Sequence, residues 1–478
     1  NLILLEKMMS DFSRDVNENM ALFEKSVRVD YNFDILKRKI IMGEKQAGFY
    51  FIDGFVQEDM VEKLMQFFYS LKPENLKDID TFLEEGMPYT EVEKSSVLID
   101  VIKSFLSGMT VLYIDGFDEC ILIDCRTYPM RSVTEPWKDR VLRGARDGFV
   151  ETIVHNAALL RRRVRDTRLS LEMFQVGECS KSDVAVCYIS DKADMKLVDD
   201  IKKRIKSIVV DALTMNLESL AECLFEHKWI DPFPKFKYSE RPDTAAAAIL
   251  DGNVVIMVDN SPAVMIIPTS VFDMIEEPDD YNFAPVIGTY LRWSRFVFTM
   301  VCMFLTPVWL LLLNNPQWIP DWLDFVTISD DITVPVIFQL LILEMSVDGL
   351  KMAAVNTPSL LSTPLSVVAG IVVGEYAVSS GWFNPESMLY MAVVTVGTYS
   401  QASFEMGYAM KFLRITELIL TQIFGLYGFI IGIIIVICTI AFNKTISGKS
   451  YIYPLIPWDW EQLKRRVFRL RLPHSHKL

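Results

Sequence analysis

Basic residues are nearly missing from one long stretch of this chain. From Phe296 to Met410 a single one, Lys351, occurs in 115 positions. A water-soluble surface of that length carries Lys and Arg throughout, so their absence argues against a soluble fold there and points to lipid as the solvent. Cysteine chemistry is equally thin. The seven cysteines (120, 125, 179, 187, 223, 302 and 438) form no Cys-x-x-Cys pair and leave an odd number. That excludes a disulfide framework and a zinc site, and fits a reduced compartment. Only four histidines occur, two of them within the last five residues, which leaves little for His-based metal or nucleophile chemistry. Acidic residues outnumber basic ones by 62 to 48, a net charge of -14, and this excludes a dedicated nucleic-acid binder. The opening run Asn1-Leu2-Ile3-Leu4-Leu5 is too short for the apolar core of a signal peptide.

What is present divides the chain in two. Of its 478 residues 51% are hydrophobic and 23% charged, with a mean hydropathy of +0.24, yet residues 1–295 read as mixed globular sequence. The expected fold is an α/β soluble N-terminal region of two subdomains followed by an all-α polytopic transmembrane domain. Its expected bounds are 1–128 and 129–283 for the two cytoplasmic subdomains, 284–446 for the membrane helices and 447–478 for an interfacial basic tail.

In the first subdomain, Leu4, Met8, Phe12, Val16, Met20 and Phe23 repeat at spacings of three and four and predict an amphipathic helix. Strands are predicted over 31–42, 48–52, 110–114 and 120–125, with helices over 56–69 and 95–107. Asp53-Gly54 and Asp115-Gly116 each supply a turn after a strand. Residues 126–146 read as a connecting loop. The second subdomain opens with a helix carrying Phe149, Ile153, Ala157, Leu160 and Val164, then strands over 169–176 and 183–189, a helix through Val198 to Val209, and a hairpin-like pair around Asp259-Asn260-Ser261-Pro262.

Arg131-Ser132-Val133-Thr134-Glu135-Pro136, Arg143-Gly144-Ala145-Arg146-Asp147-Gly148-Phe149-Val150-Glu151, Asn156 and Leu159-Leu160-Arg161-Arg162-Arg163 make up a distinctive block. Ser180-Lys181-Ser182-Asp183-Val184, Glu240-Arg241-Pro242-Asp243 and Gly288-Thr289-Tyr290-Leu291-Arg292-Trp293 continue it. This pattern resembles the GerA family, the A subunits of spore germinant receptors, from about residue 30 to the end. Ala145 and Asp147 fit its sporulation-protein branch better than the receptor branch, where proline is common at the first position. The resemblance implies a place in the spore inner membrane, an oligomeric ion channel or ion-release complex with other membrane subunits, and monovalent cations as the permeant species.

The basic run Arg161, Arg162, Arg163 and Arg165 has two readings: contact with anionic lipid or another subunit, or charge pairing within the domain at a helix C-terminus. Neither Gly144–Gly148 nor Gly448-Lys449-Ser450 has the spacing of a phosphate loop. No catalytic constellation stands out and no cofactor or metal is implied, so an enzyme is not expected.

Membrane segments are predicted over 293–313, 334–355, 364–378, 387–409 and 413–442, the third short enough to be re-entrant. Arg292 and Arg295 precede the first, whereas the loop after it has four aspartates and no basic residue, which places the N-terminal region in the cytoplasm. The tail bases Lys464, Arg465, Arg466, Arg469 and Arg471 also belong inside, yet five crossings put them outside, so one incomplete span is expected. Within these segments lie Gln339, Glu344, Asp348 and Glu375. A charge at mid-bilayer costs on the order of 2.5–3.5 kcal/mol, so these groups are candidates to line a pore or cavity, and acids favour cations; structural pairing is the alternative. Arg414 is a possible partner for Glu417. Gly370-x-x-x-Gly374 and Gly428-x-x-x-Gly432 predict close helix packing. An ion-release subunit is the leading expectation, with an ion-coupled transporter or a non-conducting scaffold as the alternatives.

Overall fold

The computed structural model describes residues 12–56, 58–83, 87, 91–126, 140–225, 231–329, 331–357 and 370–470. Three sequence expectations fall outside them: the start of the opening helix, the Arg131–Pro136 block and the first half of the third membrane segment. The chain forms two compact units, one of Asn1–Glu226 with Tyr238–Pro268, the other of His227–Lys237 with Thr269–Leu478. Residues 269–283, expected with the second subdomain, therefore belong with the helices.

The first unit holds two five-stranded sheets. Helix α1 (Val16–Val27) leads into the hairpin β1 (Ile35–Met42) and β2 (Lys45–Ile52), then α2 (Glu58–Ser70), a short edge strand β3 (Val92–Ser95), α3 (Leu98–Leu106) and the hairpin β4 (Thr110–Ile114) and β5 (Cys120–Ile123). The spatial order is β1-β2-β4-β5-β3, all antiparallel. Phe23, Tyr50, Phe105 and Tyr113 pack on one face and Phe49, Phe68, Phe82 and Leu112 on the other. The near-continuous apolar runs of β4 and β5 follow from burial on both sides.

The second sheet repeats this plan. Helix α4 (Ile153–Arg163) precedes β6 (Leu169–Val176) and β7 (Ser182–Ile189), followed by α5 (Met195–Ser207), α6 (Leu217–Leu224), the short strand β8 (Lys237–Ser239), α7 (Pro242–Leu250), β9 (Val254–Val258) and β10 (Val264–Ile267), in the order β6-β7-β9-β10-β8. The match extends to single hydrogen bonds. Asp115 after β4 accepts the Val16 N–H at the start of α1 (3.4 Å), and Asp259 after β9 accepts the Ile153 N–H at the start of α4 (3.0 Å). Asn19 bonds both ways with the Ser13 backbone, and Asn156 does the same with Val150. The two halves are thus structural repeats. Sequence reading missed β3, β8, α6 and α7: the two strands are short and edge-placed, with only partial burial, so they lack the apolar alternation that marks a strand.

One buried residue joins the halves. Arg161, 1% exposed, donates to both Asp34 carboxylate oxygens (3.1 Å each) and to Asn32 Oδ1 (3.0 Å). The same Asn32 oxygen accepts the Leu171 N–H at 2.8 Å, which ties the entry to β1 to the start of β6. Arg161 therefore cannot serve lipid or a partner subunit. Arg163 pairs with Asp147, while Arg162 and Arg165 are exposed, Arg165 donating to the Arg162 carbonyl at 3.3 Å.

The second unit is helical. After α8 (Val271–Ile275) and α9 (Asp279–Asn282) come α10 (Pro285–Asn314), α11 (Val336–Asn356), a π-helical turn over Gly370–Tyr376 running into Ala377–Ser379, then α12 (Pro385–Tyr399), α13 (Phe404–Phe424), α14 (Leu426–Ala441) and α15 (Trp460–Val467). Among the described residues, α10 is the one helix long and apolar enough to cross a membrane by length and composition; α14 is apolar but shorter. The expected segments 387–409 and 413–442 are in fact three helices. The chain leaves α12 at Ser400 and restarts where Ser403 caps α13 by accepting the Met406 N–H. It then reverses at Gly425, whose φ of +58° suits glycine. An unbroken apolar composition hid that reversal.

Replacing Arg161 with Met is expected to cost about 3–5 kcal/mol, because it strands the Asp34 carboxylate. The loss should appear as a lower melting temperature of the purified chain, partly restored by adding Asp34→Leu. An unchanged melting temperature in the single variant would remove the clamp role.

Candidate functional site

The helices of the second unit meet around an ion network that is buried except at Asp348, whose side chain is 26% exposed. α10 and α12 run in opposite directions, with Trp309 against Tyr390 (4.5 Å between rings) at one end and Thr299 bonded to Gln401 (3.0 Å) at the other. α13 runs parallel to α10, and α11 runs against α13. That last pairing sets two acids on α11 opposite two bases on α13. Glu344, 3% exposed, accepts from Arg414 Nε at 2.7 Å and lies 3.4 Å from Lys411 Nζ. Lys411 also pairs with Asp348 and donates to the Glu344 carbonyl at 2.9 Å. Arg414 reaches the third helix by donating to the Cys302 carbonyl at 2.6 Å.

Glu344 and Asp348 therefore do not line a pore within this chain. Acids and bases balance two against two, and each base offers several donors to what would otherwise be a costly buried charge. The expected Arg414–Glu417 pairing is replaced by Arg414–Glu344. Lys411 and Arg414 both turn into the bundle and are buried. A signal was available: acids spaced by four on one helix face bases spaced by three on an antiparallel neighbour.

Gln339 is buried too, closing a reciprocal pair with Asn384: its amide donates to Asn384 Oδ1 (2.7 Å) and its carbonyl oxygen accepts the Asn384 N–H (2.9 Å). It staples α11 to the start of α12. Gly428 and Gly432 form the contact of α14 with α13; a Cβ on them would sit 1.8 Å from the Leu420 carbonyl oxygen and 2.8 Å from Glu417 Cγ. Gly370 and Gly374 differ, since a Cβ on either would meet nothing within 4 Å. Glu375 beside them is exposed, with no hydrogen bond or ion pair among the described residues.

A second cluster lies where the chain enters α10. Arg292 donates to Glu276 (2.8 Å) and Asp280 (3.3 Å), and Arg295 pairs with Glu277 and Asp280. The C-terminal tail docks here: Arg466 pairs with Asp273 (2.5 Å) and Glu276 (2.8 Å), and Arg292 donates to the carbonyls of Arg465 and Arg466 (2.9 Å each). Burial alone would raise the Glu276 carboxyl, but Arg466, Arg292 and Lys237 outweigh it and hold it down at about 2.

The architecture is that of a polar two-sheet region followed by an apolar helical region with internally paired charges. The family described as "Bacillus/Clostridium GerA spore germination protein" matches residues 22–477, and the chain belongs to that family. It is 36% identical over 465 residues to "Stage V sporulation protein AF" of Bacillus subtilis (strain 168), covering 96% of this chain and 93% of that protein. It is 26% identical to "Spore germination protein A1" of the same organism over 98% of this chain and 96% of that one. The crystal structure of the N-terminal domain of the A subunit of the Bacillus megaterium spore germinant receptor GerK3 is similar at 25% identity and a TM-score of 0.42, over 54% of this chain and 96% of that one. A germination-related role and membrane association in the spore follow from the family.

Replacing Glu344 with Leu strands Arg414 and is expected to cost about 3–5 kcal/mol, read as lost protein and a lower melting temperature in detergent. The double variant Glu344→Leu/Arg414→Leu should recover most of it; no recovery would mean that the pair is not the unit of stability. The depressed Glu276 carboxyl makes tail docking pH-dependent. Its contribution is fully present above the ordinary carboxyl value of 4.5 and is lost as pH falls toward about 2. Hydrogen-exchange protection of residues 460–470, corrected for intrinsic exchange, should fall across that window; protection that stays flat would contradict the latch.

Proposed function

We propose that the chain is a multi-pass subunit of an oligomeric assembly in the spore inner membrane that releases monovalent cations and takes part in or amplifies germination. The family supports the setting. Helix directions support the topology: α10 leads away from its entry cluster, α11 returns, Asn384 at the start of α12 lies beside Gln339 near the start of α11 and so at the far end again, and α12, α13 and α14 return, leave and return. Six passes bring the tail back to the side of Arg292 and Arg295, in agreement with Arg466 docking there. All the basic ends then lie on the cytoplasmic side and the aspartate-rich loop after α10 lies outside, with no incomplete span needed to account for the tail.

Glu375 is the observation that carries the reading of an ion path. With Glu344 and Asp348 neutralised, it is the acid in the membrane segments left exposed and unpaired among the described residues. An exposed carboxylate facing lipid costs on the order of 2.5–3.5 kcal/mol. Facing a water-filled path between copies it costs far less, and it attracts cations. Gly370 and Gly374, open on their outer side, leave room for a neighbouring copy to approach. No catalytic step belongs to this reading.

The Glu375→Gln variant should lower cation flux through reconstituted assemblies about tenfold or slow germination, with protein level and assembly size unchanged. Full flux in correctly assembled Glu375→Gln complexes would rule out this path.

A further inference from the structure

Glu417 on α13 is fully buried, and neither of its carboxylate oxygens has a hydrogen-bond partner among the described residues. The hydroxyls of Thr421, one turn further on, and of Thr306 on α10 are likewise buried and unpartnered. That is unusual for this bundle. Thr299, Thr395, Thr398, Thr416 and Thr439 each return the hydroxyl to the carbonyl four residues back, at 2.7–2.9 Å. Thr306 and Thr421 do not, and their lone pairs and protons are left for another use.

Helix pairing brings the three together. The Cys302 carbonyl on α10 meets Arg414 on α13, and Leu310 shares a packing cluster with Leu418. Thr306 lies one turn from each of Cys302 and Leu310, in the stretch of α10 that these two positions pair with Arg414 and Leu418, the residues that bracket Glu417 on α13. From the third side α14 packs Gly432 directly against the Glu417 stem: a Cβ there would sit 2.8 Å from Glu417 Cγ. Charge favours a cation here. Arg414 and Lys411 are already engaged by Glu344 and Asp348, so the Glu417 carboxylate has no basic partner among the described residues. Thr421 lies in the last turn of α13, where the helix dipole is negative. Pro307 has no N–H to give the Met303 carbonyl, which leaves one more backbone oxygen in the same turn without its helical donor.

We propose that Glu417, Thr421 and Thr306 form a binding site for one alkali metal cation inside the helix bundle. Hard oxygen ligands select such an ion over a transition metal, and a single carboxylate matches a single positive charge. The assignment rests on the reading of the chain as a cation-handling membrane subunit, but its test reads binding, not flux.

The full-length protein in detergent should melt at a higher temperature in KCl or NaCl than in choline chloride of equal ionic strength, and should bind 86Rb+ at one ion per chain. Glu417→Gln supplies a neutral isostere that needs no counterion, and should abolish both the salt difference and the Rb+ binding. Thr421→Val keeps the carboxylate and should need about tenfold more salt for the same shift; it also serves if Glu417→Gln fails to fold. A wild-type protein indifferent to the cation, or a Glu417→Gln variant that keeps the full response, overturns the site. Glu375→Gln should leave the melting response intact, so failure of the release path and failure of this site are read in separate measurements.

Discussion

The ion network of Glu344, Asp348, Lys411 and Arg414 is the constraint on which the helical unit depends. Four charges are held inside an apolar bundle, and they are tolerable there only because α11, α13 and the Cys302 carbonyl of α10 converge to satisfy them. Removing any one member leaves an uncompensated charge, which is far more costly than the net worth of the intact pair. Register follows from the same fact. A shift of α13 by one turn against α11 would part both pairs at once, so the network fixes the alignment of helices whose apolar surfaces alone would slide. Gln339 with Asn384 does the same at the other end of α11.

The two-sheet unit uses the same device. Arg161 is sealed between the repeats and reads Asp34 and Asn32 on one side while Asn32 holds Leu171 on the other. Two similar halves that pack through apolar surface have many nearly equivalent arrangements; a buried bidentate pair selects one of them. A run of arginines at a helix end looks from sequence like a surface patch, and for Arg162 and Arg165 that reading matches their exposure. For Arg161 the helical phase turns the side chain inward, and Asp34 lies too far away in sequence for periodicity to suggest it.

Much of the fold was legible because it rests on local signals. The alternation and Asp-Gly turns around 48–52 and 110–114 locate real strands, and the Phe149–Val164 spacing locates α4. The repeat was not legible, since the visible echo, Ile52-Asp53-Gly54 and Ile114-Asp115-Gly116, falls within one half, whereas the true counterpart of Asp115 is Asp259. In the helical unit the positions of the acids were found but not their partners. Glu344 and Arg414 are seventy residues apart, and a pairing at that distance depends on topology. The Gly425 reversal hid that topology by leaving the apolar run unbroken. The tail's positive charge was read without its partners, because Asp273 and Glu276 are near it only in the folded chain.

The distribution of anchors along α10 also limits which parts of the bundle are free to move. Its start is held by Arg292 and Arg295 on three acids and two carbonyls, its middle by the Cys302 carbonyl on Arg414 and the Cys302 thiol on the Val394 carbonyl (3.3 Å), and its end by the Trp309 indole on the Val326 carbonyl (2.9 Å). Displacing α10 by even part of a turn would break bonds at three levels together, so it acts as a fixed post. α13 is tied to that post by Arg414, and α14 to α13 by glycines that admit no slack. The described part of 370–379 has no comparable set of polar anchors: a Cβ on Gly370 or Gly374 would meet nothing within 4 Å, and Glu375 has no hydrogen bond or ion pair among the described residues. Rigidity is therefore concentrated where charge is paired, and the freedom to rearrange lies in the segment that carries the exposed carboxylate.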